Sequence, residues 1–302
     1  RSPLGLIGQL LGISIPDVMQ EMRTDSPQPV SVGVEWQERQ AQDSSRVAAL
    51  SATEVVLTRS ALKTASELGF LDKLASAYTL VAPRSLADEL RDERNQAGRA
   101  VAKGQKNMTS EGVGLQWHEL APGHPRLVER FESLCALLDW LDASVRVEPR
   151  PLSAIGGLGA EEEQLREKIG RGSADAVALV RHLGVSMYVD DLGLRRLCAD
   201  GGARTFSSVS LVLALAEKGE ISRDGRDRYL IDLVVRGYVV VCPTRELLLE
   251  ALRQLAGIGY SGVEMVFALL GTGGLVLGDA ARVAAQVLKS VVTESVQLVD
   301  LN

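Results

Sequence analysis

The chain of 302 residues is 46% apolar and 24% charged, which excludes an intrinsically disordered or collagen-like protein and supplies a sizeable core for more than one domain. Lys plus Arg total 33 against 39 Asp plus Glu, a net charge of -6, so a broad basic face that binds nucleic acid through counterion release alone is excluded. Aromatics make up 4%, too few for a base-stacking platform; the core is expected to be aliphatic and any nucleic-acid contact local.

Cys135, Cys198 and Cys242 stand far apart in no paired pattern, which suggests neither a disulfide framework nor a thiolate zinc site and fits a reducing, cytoplasmic setting. His118, His124 and His182 include no pair at helical ligand spacing, so a zinc enzyme is not expected. The apolar run Leu4 to Ile15 has only Arg1 before it and no small-residue cleavage pattern, so it is not read as a signal peptide. Leu255 to Gly278 is long enough for a membrane span. Glu264 in its middle would cost roughly 2.5–3.5 kcal/mol in a bilayer, and its glycines loosen a helix, so it is read as a buried helical pair. The chain opens on Arg1 and not Met, so it is read as part of something larger, with other domains as neighbours.

Taken in chain order, residues 1–50 form a peripheral segment in which Val30 to Val34 reads as an edge strand and Gln37 to Ser45 as a linker or exposed helix. Glu54 to Leu57 is a short apolar run suited to a strand, followed by Ser60 to Leu68 with Ala61, Leu62, Ala65 and Leu68 at helical spacing. Tyr78 to Ala82 is a second strand, stopped by Pro83, after which Ser85 is expected to cap a helix through Leu86 and Leu90. Leu115 to Leu120 reads as a strand and Leu127 to Leu141 as a helix before Pro149 and Pro151 break the chain. Beyond a glycine-rich stretch at 153–160, helices are expected over Ser173 to Leu183, Leu192 to Cys198, Val209 to Glu217 and Ser222 to Arg236. They alternate with short strands at Ser186 to Val189, Thr205 to Phe206 and Val239 to Val241. This alternation implies an α/β domain over 51–243 with a mainly parallel sheet flanked by helices; from Thr244 to Asn302 only helical patterns remain, a C-terminal helical appendage. Within the long insertion from Arg91 to Gly172, Arg94, Arg99, Lys103 and Lys106 recur near helical spacing. They form either a local basic strip beside the crevice or a solvated helix face.

The stretch Gly257-Ile258-Gly259-Tyr260-Ser261-Gly262 has the spacing of a dinucleotide-binding loop but follows a helical run where that motif needs a strand. A helix-helix connection is the plainer reading. No GxSxG, P-loop or paired Cys and His is found, which leaves carboxylates near strand ends as the candidate chemistry. Asp190 and Asp191 follow a strand directly, where two acids either hold a divalent cation or cap the helix Leu192 to Cys198. Asp175 sits in the expected first turn of its helix, where the helix dipole alone would favour it. Glu89 borders the apolar stripe of its helix while Asp88 points away; a salt bridge to a neighbouring Arg is its alternative role.

The segments Val55 to Leu62, Val81 to Leu90, Ser173 to Leu179 and Met187 to Asp191 resemble, in order, the blocks of PIN-domain ribonucleases, with a resemblance extending over about residues 51–255. The likeness is to the PIN-like modules of large bacterial multidomain proteins. It implies a PIN-like sheet and hydrolysis of RNA phosphodiesters by Mg²⁺ or Mn²⁺, with Glu89, Asp175 and Asp191 as catalytic metal ligands and Asp190 as an alternate. The family's first strand ends in an Asp, whereas Thr58 stands there in this chain. Removing a full negative charge lowers affinity for a hard cation. The resemblance therefore implies a weakened or degenerate ribonuclease, with RNA as partner; the alternative is a non-catalytic interaction or structural module within a larger protein.

Overall fold

The structure, a computed structural model, describes residues 39–111, 114–151 and 169–235, together with 250 and 285. In chain order the elements are α1 (Arg39–Ser51), β1 (Glu54–Leu57), α2 (Arg59–Glu67), α3 (Leu71–Ala77), β2 (Thr79–Pro83), α4 (Arg84–Lys103), β3 (Gln105–Glu111) and β4 (Gly114–Leu120). They continue with α5 (Pro125–Ser144), β5 (Arg146–Glu148), α6 (Arg171–Leu183), β6 (Ser186–Tyr188), α7 (Leu192–Asp200), β7 (Thr205–Phe206), α8 (Ser208–Glu217) and α9 (Arg223–Val235).

Five strands make a parallel sheet in the order β5-β2-β1-β6-β7. The register sets Val56 of β1 against Val81 of β2 on one side and Met187 of β6 on the other. Val55, Val56 and Leu57 are all fully buried, and so are Met187 and Tyr188. A continuous apolar run is what a strand covered by helices on both faces requires, since neither of its alternating side-chain sets meets water. On one face, Val56, Val81 and Met187 pack with Ala176, Val177, Leu179 and Val180 of α6 and with Leu194 and Cys198 of α7. Each fully buried aliphatic side chain there stabilises the fold by about 1.5–3 kcal/mol. Emptying one, as in Leu179→Ala, would cost about 2–5 kcal/mol.

Two compact units divide the chain. Among the described residues, one holds those within 52–189 and 193–205, and the other 39–51, 190–192 and 206–235. In the second unit, α1 lies against α8, and Arg46 pairs with Glu217. Helix α8 is buried over Val209, Leu211, Val212, Ala214 and Leu215, nearly all round its circumference.

The α/β class and the parallel sheet expected from the alternation are present. Several local readings are corrected. Helix α4 begins at Arg84 with Pro83 in the cap position at φ -66° and ψ 144°, so Ser85 is a buried first-turn residue and not the cap. Proline's fixed φ already suits the last extended residue before a helix, which moves the start two residues earlier. The expected strand at 115–120 exists but lies outside the main sheet. It pairs antiparallel with β3 in a separate hairpin. Sequence reading missed β3, β5 and α3; β5 is three residues long and charged at both ends, too short for a periodicity signal. Among the described residues, no helix is long and apolar enough to cross a membrane. The expectations at Val30 to Val34, Val239 to Val241, Gly257 to Gly262 and 244–302 lie outside the described residues, as does the span Leu255 to Gly278.

Candidate functional site

The strand order makes β1 a pivot: the chain leaves it toward β2 and β5 on one side and returns to β6 on the other. In an open parallel sheet, the crevice beyond the carboxyl ends at such a reversal is where ligands bind, because the connections diverge there. Thr58 follows the end of β1, in extended backbone at the cap position of α2. Its hydroxyl makes no capping bond to α2. Instead Oγ1 donates to the carbonyl oxygen of Tyr188 at 3.0 Å, and the Thr58 N–H reaches the same oxygen at 3.3 Å. The residue at the reversal point is thus a buried hydroxyl that ties the ends of β1 and β6 together.

Glu89 lies in the second turn of α4, and Oε1 accepts the N–H of Gly172 at 2.8 Å. Gly172 is the second residue of α6, so its N–H has no acceptor within the helix and sits at the positive end of the helix dipole. A side chain at 172 would set its Cβ 2.8 Å from Glu89 Oε2, a contact that only glycine avoids. Burial pushes the Glu89 carboxyl above its ordinary value. The Gly172 N–H and the nearby Arg59 and Arg171 guanidinia partly offset this, and the Asp175 carboxylate adds to the rise.

The Asp175 and Glu89 carboxylates are near enough to feel each other's charge. Asp175 is 5% exposed and lies in the second turn of α6 and not the first, because that helix starts at Arg171. Its Oδ1 faces Arg150 Nε at 3.7 Å. Arg59 on α2 pairs with Glu93, one turn beyond Glu89 on α4, and the other Glu93 oxygen accepts from Arg130 of α5 at 3.2 Å.

Asp190 and Asp191 belong to the second unit. Asp190 is fully buried; Oδ1 accepts the Ser208 N–H and Oδ2 the Ser208 O–H, both at 2.7 Å. It therefore serves the N-terminus of α8, eighteen residues on, whereas the expectation was that one of Asp190 and Asp191 caps the helix that follows them directly. Asp191 is half-buried.

Arg59, Glu93, Arg150 and Gly172 are the residues that sequence reasoning missed. The Glu89 and Glu93 spacing of four residues on a helix was a usable signal, since it places two carboxylates on one face. The arginines had none, because their partners are distant in sequence.

The order of the sheet, its parallel pairing and its helical cover are consistent with a PIN-like α/β fold. Within that class, residues 56–199 match the family described as "PIN domain associated with the TPR-GreAB-C-PIN system". The matched segment runs from within β1 to within α7, just under half of the chain. Comparison with curated proteins and with solved structures yields no match.

The divalent cation that this class implies meets unsuitable donors. Thr58 is neutral and its proton is spent on Tyr188; Asp175 faces Arg150; Glu89 lies beside two further guanidinia and is pushed toward its protonated form. A hard cation is held by carboxylate charge, which these arginines already neutralise. Among the described residues, no group of three or more His, Cys, Asp or Glu is arranged to hold a metal ion. The residues do not fit the metal.

Proposed function

We propose that the PIN-like domain is a degenerate relative of metal-dependent ribonucleases that acts as an interaction or structural module within a larger protein. One observation carries this reading: the position at the sheet reversal is a buried hydroxyl bonded to the Tyr188 carbonyl, where a metallonuclease of this type needs a carboxylate. Loss of that charge weakens the attraction for Mg²⁺ or Mn²⁺. Without the cation, neither water activation nor stabilisation of the phosphoryl oxygens is supplied. The family description names a system of several parts, which supports partners among neighbouring TPR and GreAB-C domains; the unpaired spacing of the three cysteines is what supports a cytoplasmic setting. The module is proposed to cover residues 51–243, with 244–302 as a helical appendage.

The competing reading keeps a weak Mg²⁺- or Mn²⁺-dependent ribonuclease with Glu89, Asp175 and Asp191 as ligands, Asp190 as alternate and RNA as substrate. What favours it is that Glu89 and Asp175 feel each other's charge. Titration calorimetry with Mn²⁺, alongside cleavage assays on single-stranded RNA, separates the two. The module reading expects no saturable heat and no metal-dependent cleavage; chelator-sensitive cleavage would establish the ribonuclease.

A further inference from the structure

We infer that the Arg59 guanidinium is the built-in cation of the acidic pair Glu89 and Glu93 on α4, occupying in charge terms the role a divalent ion plays in the active members of the class, and that Glu93 positions it. The inference rests on the module reading above and adds the residue responsible for it.

Glu89 and Glu93 are one helical turn apart on α4 and share a face. Arg59, the first residue of α2, pairs through Nη2 with Glu93 Oε2 and also exerts its charge on Glu89. A guanidinium beside two carboxylates is a rigid, permanently charged counter-ion, with a planar fork that an ammonium lacks. Glu93 is 9% exposed and its second oxygen is held by Arg130 from α5, so three helices fix the geometry. Arg59 also follows directly on Thr58. The neutral residue and the internal cation thus stand side by side at the end of β1, and both features lower the need for a metal. With the cation covalently attached, an incoming Mn²⁺ would have to displace a paired arginine before it met Glu89.

The test uses the full chain and four variants: Arg59→Gln, Arg59→Lys, Glu89→Gln and the double variant Arg59→Gln/Glu89→Gln. Thermal melts are recorded with EDTA, Mn²⁺ or Mg²⁺, and bound Mn²⁺ is counted by loss of its free-ion electron paramagnetic resonance signal. The inference expects the wild type and Arg59→Lys to melt alike with and without Mn²⁺. Arg59→Gln should melt lower in EDTA, gain about 3 °C or more with Mn²⁺ and bind one ion. Removing the repelling carboxylate should recover the loss, so the double variant should melt above Arg59→Gln and ignore Mn²⁺. Should Arg59→Gln fail to fold, a folded double variant carries the same conclusion, and an unfolded one overturns the inference. An Arg59→Gln protein that is as stable as wild type or blind to Mn²⁺ also overturns it, leaving the module reading in place. Mn²⁺ binding by the wild type overturns the module reading instead.

Discussion

Both carboxylate oxygens of Asp190 are taken by one residue, Ser208, through its backbone N–H and its hydroxyl at 2.7 Å each. Ser208 is the first residue of α8, with Ser207 in the cap position accepting from the Ser210 N–H at 3.4 Å. A fully buried carboxylate at the start of a helix is stabilised by the orphan amide and by the positive end of the dipole.

Ser208→Ala should therefore cost about 1.5–3 kcal/mol, the worth of one hydrogen bond to a charged group, because the amide bond survives. Asp190→Ala removes both acceptors and strands a buried donor, and should cost more, about 3–5 kcal/mol. Urea unfolding followed by circular dichroism gives both values. If Asp190→Ala costs no more than Ser208→Ala, the carboxylate is not the cap of α8.

Thr58 offers a second contrast between shape and charge. Thr58→Val keeps the volume and leaves the backbone N–H on the Tyr188 carbonyl, so about 1 kcal/mol should be lost. Thr58→Asp sets a carboxylate against that carbonyl in a site only 2% exposed, and should cost about 2–4 kcal/mol. Mn²⁺ should not restore it while Arg59 is in place. Recovery of the melting temperature by Mn²⁺ in Thr58→Asp alone would show that the acids already form a metal site lacking one ligand.

The contact between α4 and α6 through Gly172 sets two effects against each other. Gly172→Ala gains up to about 1 kcal/mol of helix propensity. It also drives a Cβ to within 2.8 Å of the Glu89 carboxylate, which must move and give up a charged hydrogen bond worth about 1.5–3 kcal/mol. A net loss of about 1 kcal/mol is expected. In a Glu89→Ala background the same change should become stabilising, and a double-mutant cycle measures the reversal. Equal effects in both backgrounds would mean that the glycine is not there for Glu89.

What could be read in the sequence and what could not divides along a physical line. Strands β1, β2 and β6 were legible because a strand covered on both faces must be continuously apolar, as Val55 to Leu57 are. Helices α2, α6 and α8 were legible from their apolar spacing. Glu89 could be singled out because it borders such a stripe, while Asp88 is exposed. The partners of the acids were not legible: Arg150 meets Asp175 and Ser208 meets Asp190 only after the sheet is assembled, and no local pattern encodes either contact. Which helix each of Asp190 and Asp191 serves was not legible either: an Asp before a helix looks like that helix's cap until tertiary structure offers it another, and α8 offers Asp190 both an amide and a hydroxyl.

The pH dependence of stability should carry the mark of Glu89. Its folded-state pKa lies above the ordinary 4.5, with burial the largest cause, outweighing the Gly172 N–H and the two arginines. Between the unfolded and the folded pKa the native state binds more protons than the unfolded one, so stability falls as pH rises through that interval. Below the unfolded pKa both forms are protonated and the penalty vanishes. Above the folded pKa the full cost of burying the charge is present. Glu89→Gln keeps an acceptor for the Gly172 N–H and carries no charge, so it should match the wild type in acid and become the more stable of the two as pH rises through that interval. Urea midpoints for both proteins, from about pH 4 to about pH 8, give the difference directly. A difference that shrinks or reverses with rising pH would mean that Arg59 and Arg171 outweigh burial, and that Glu89 is held in the fold as a stabilised carboxylate.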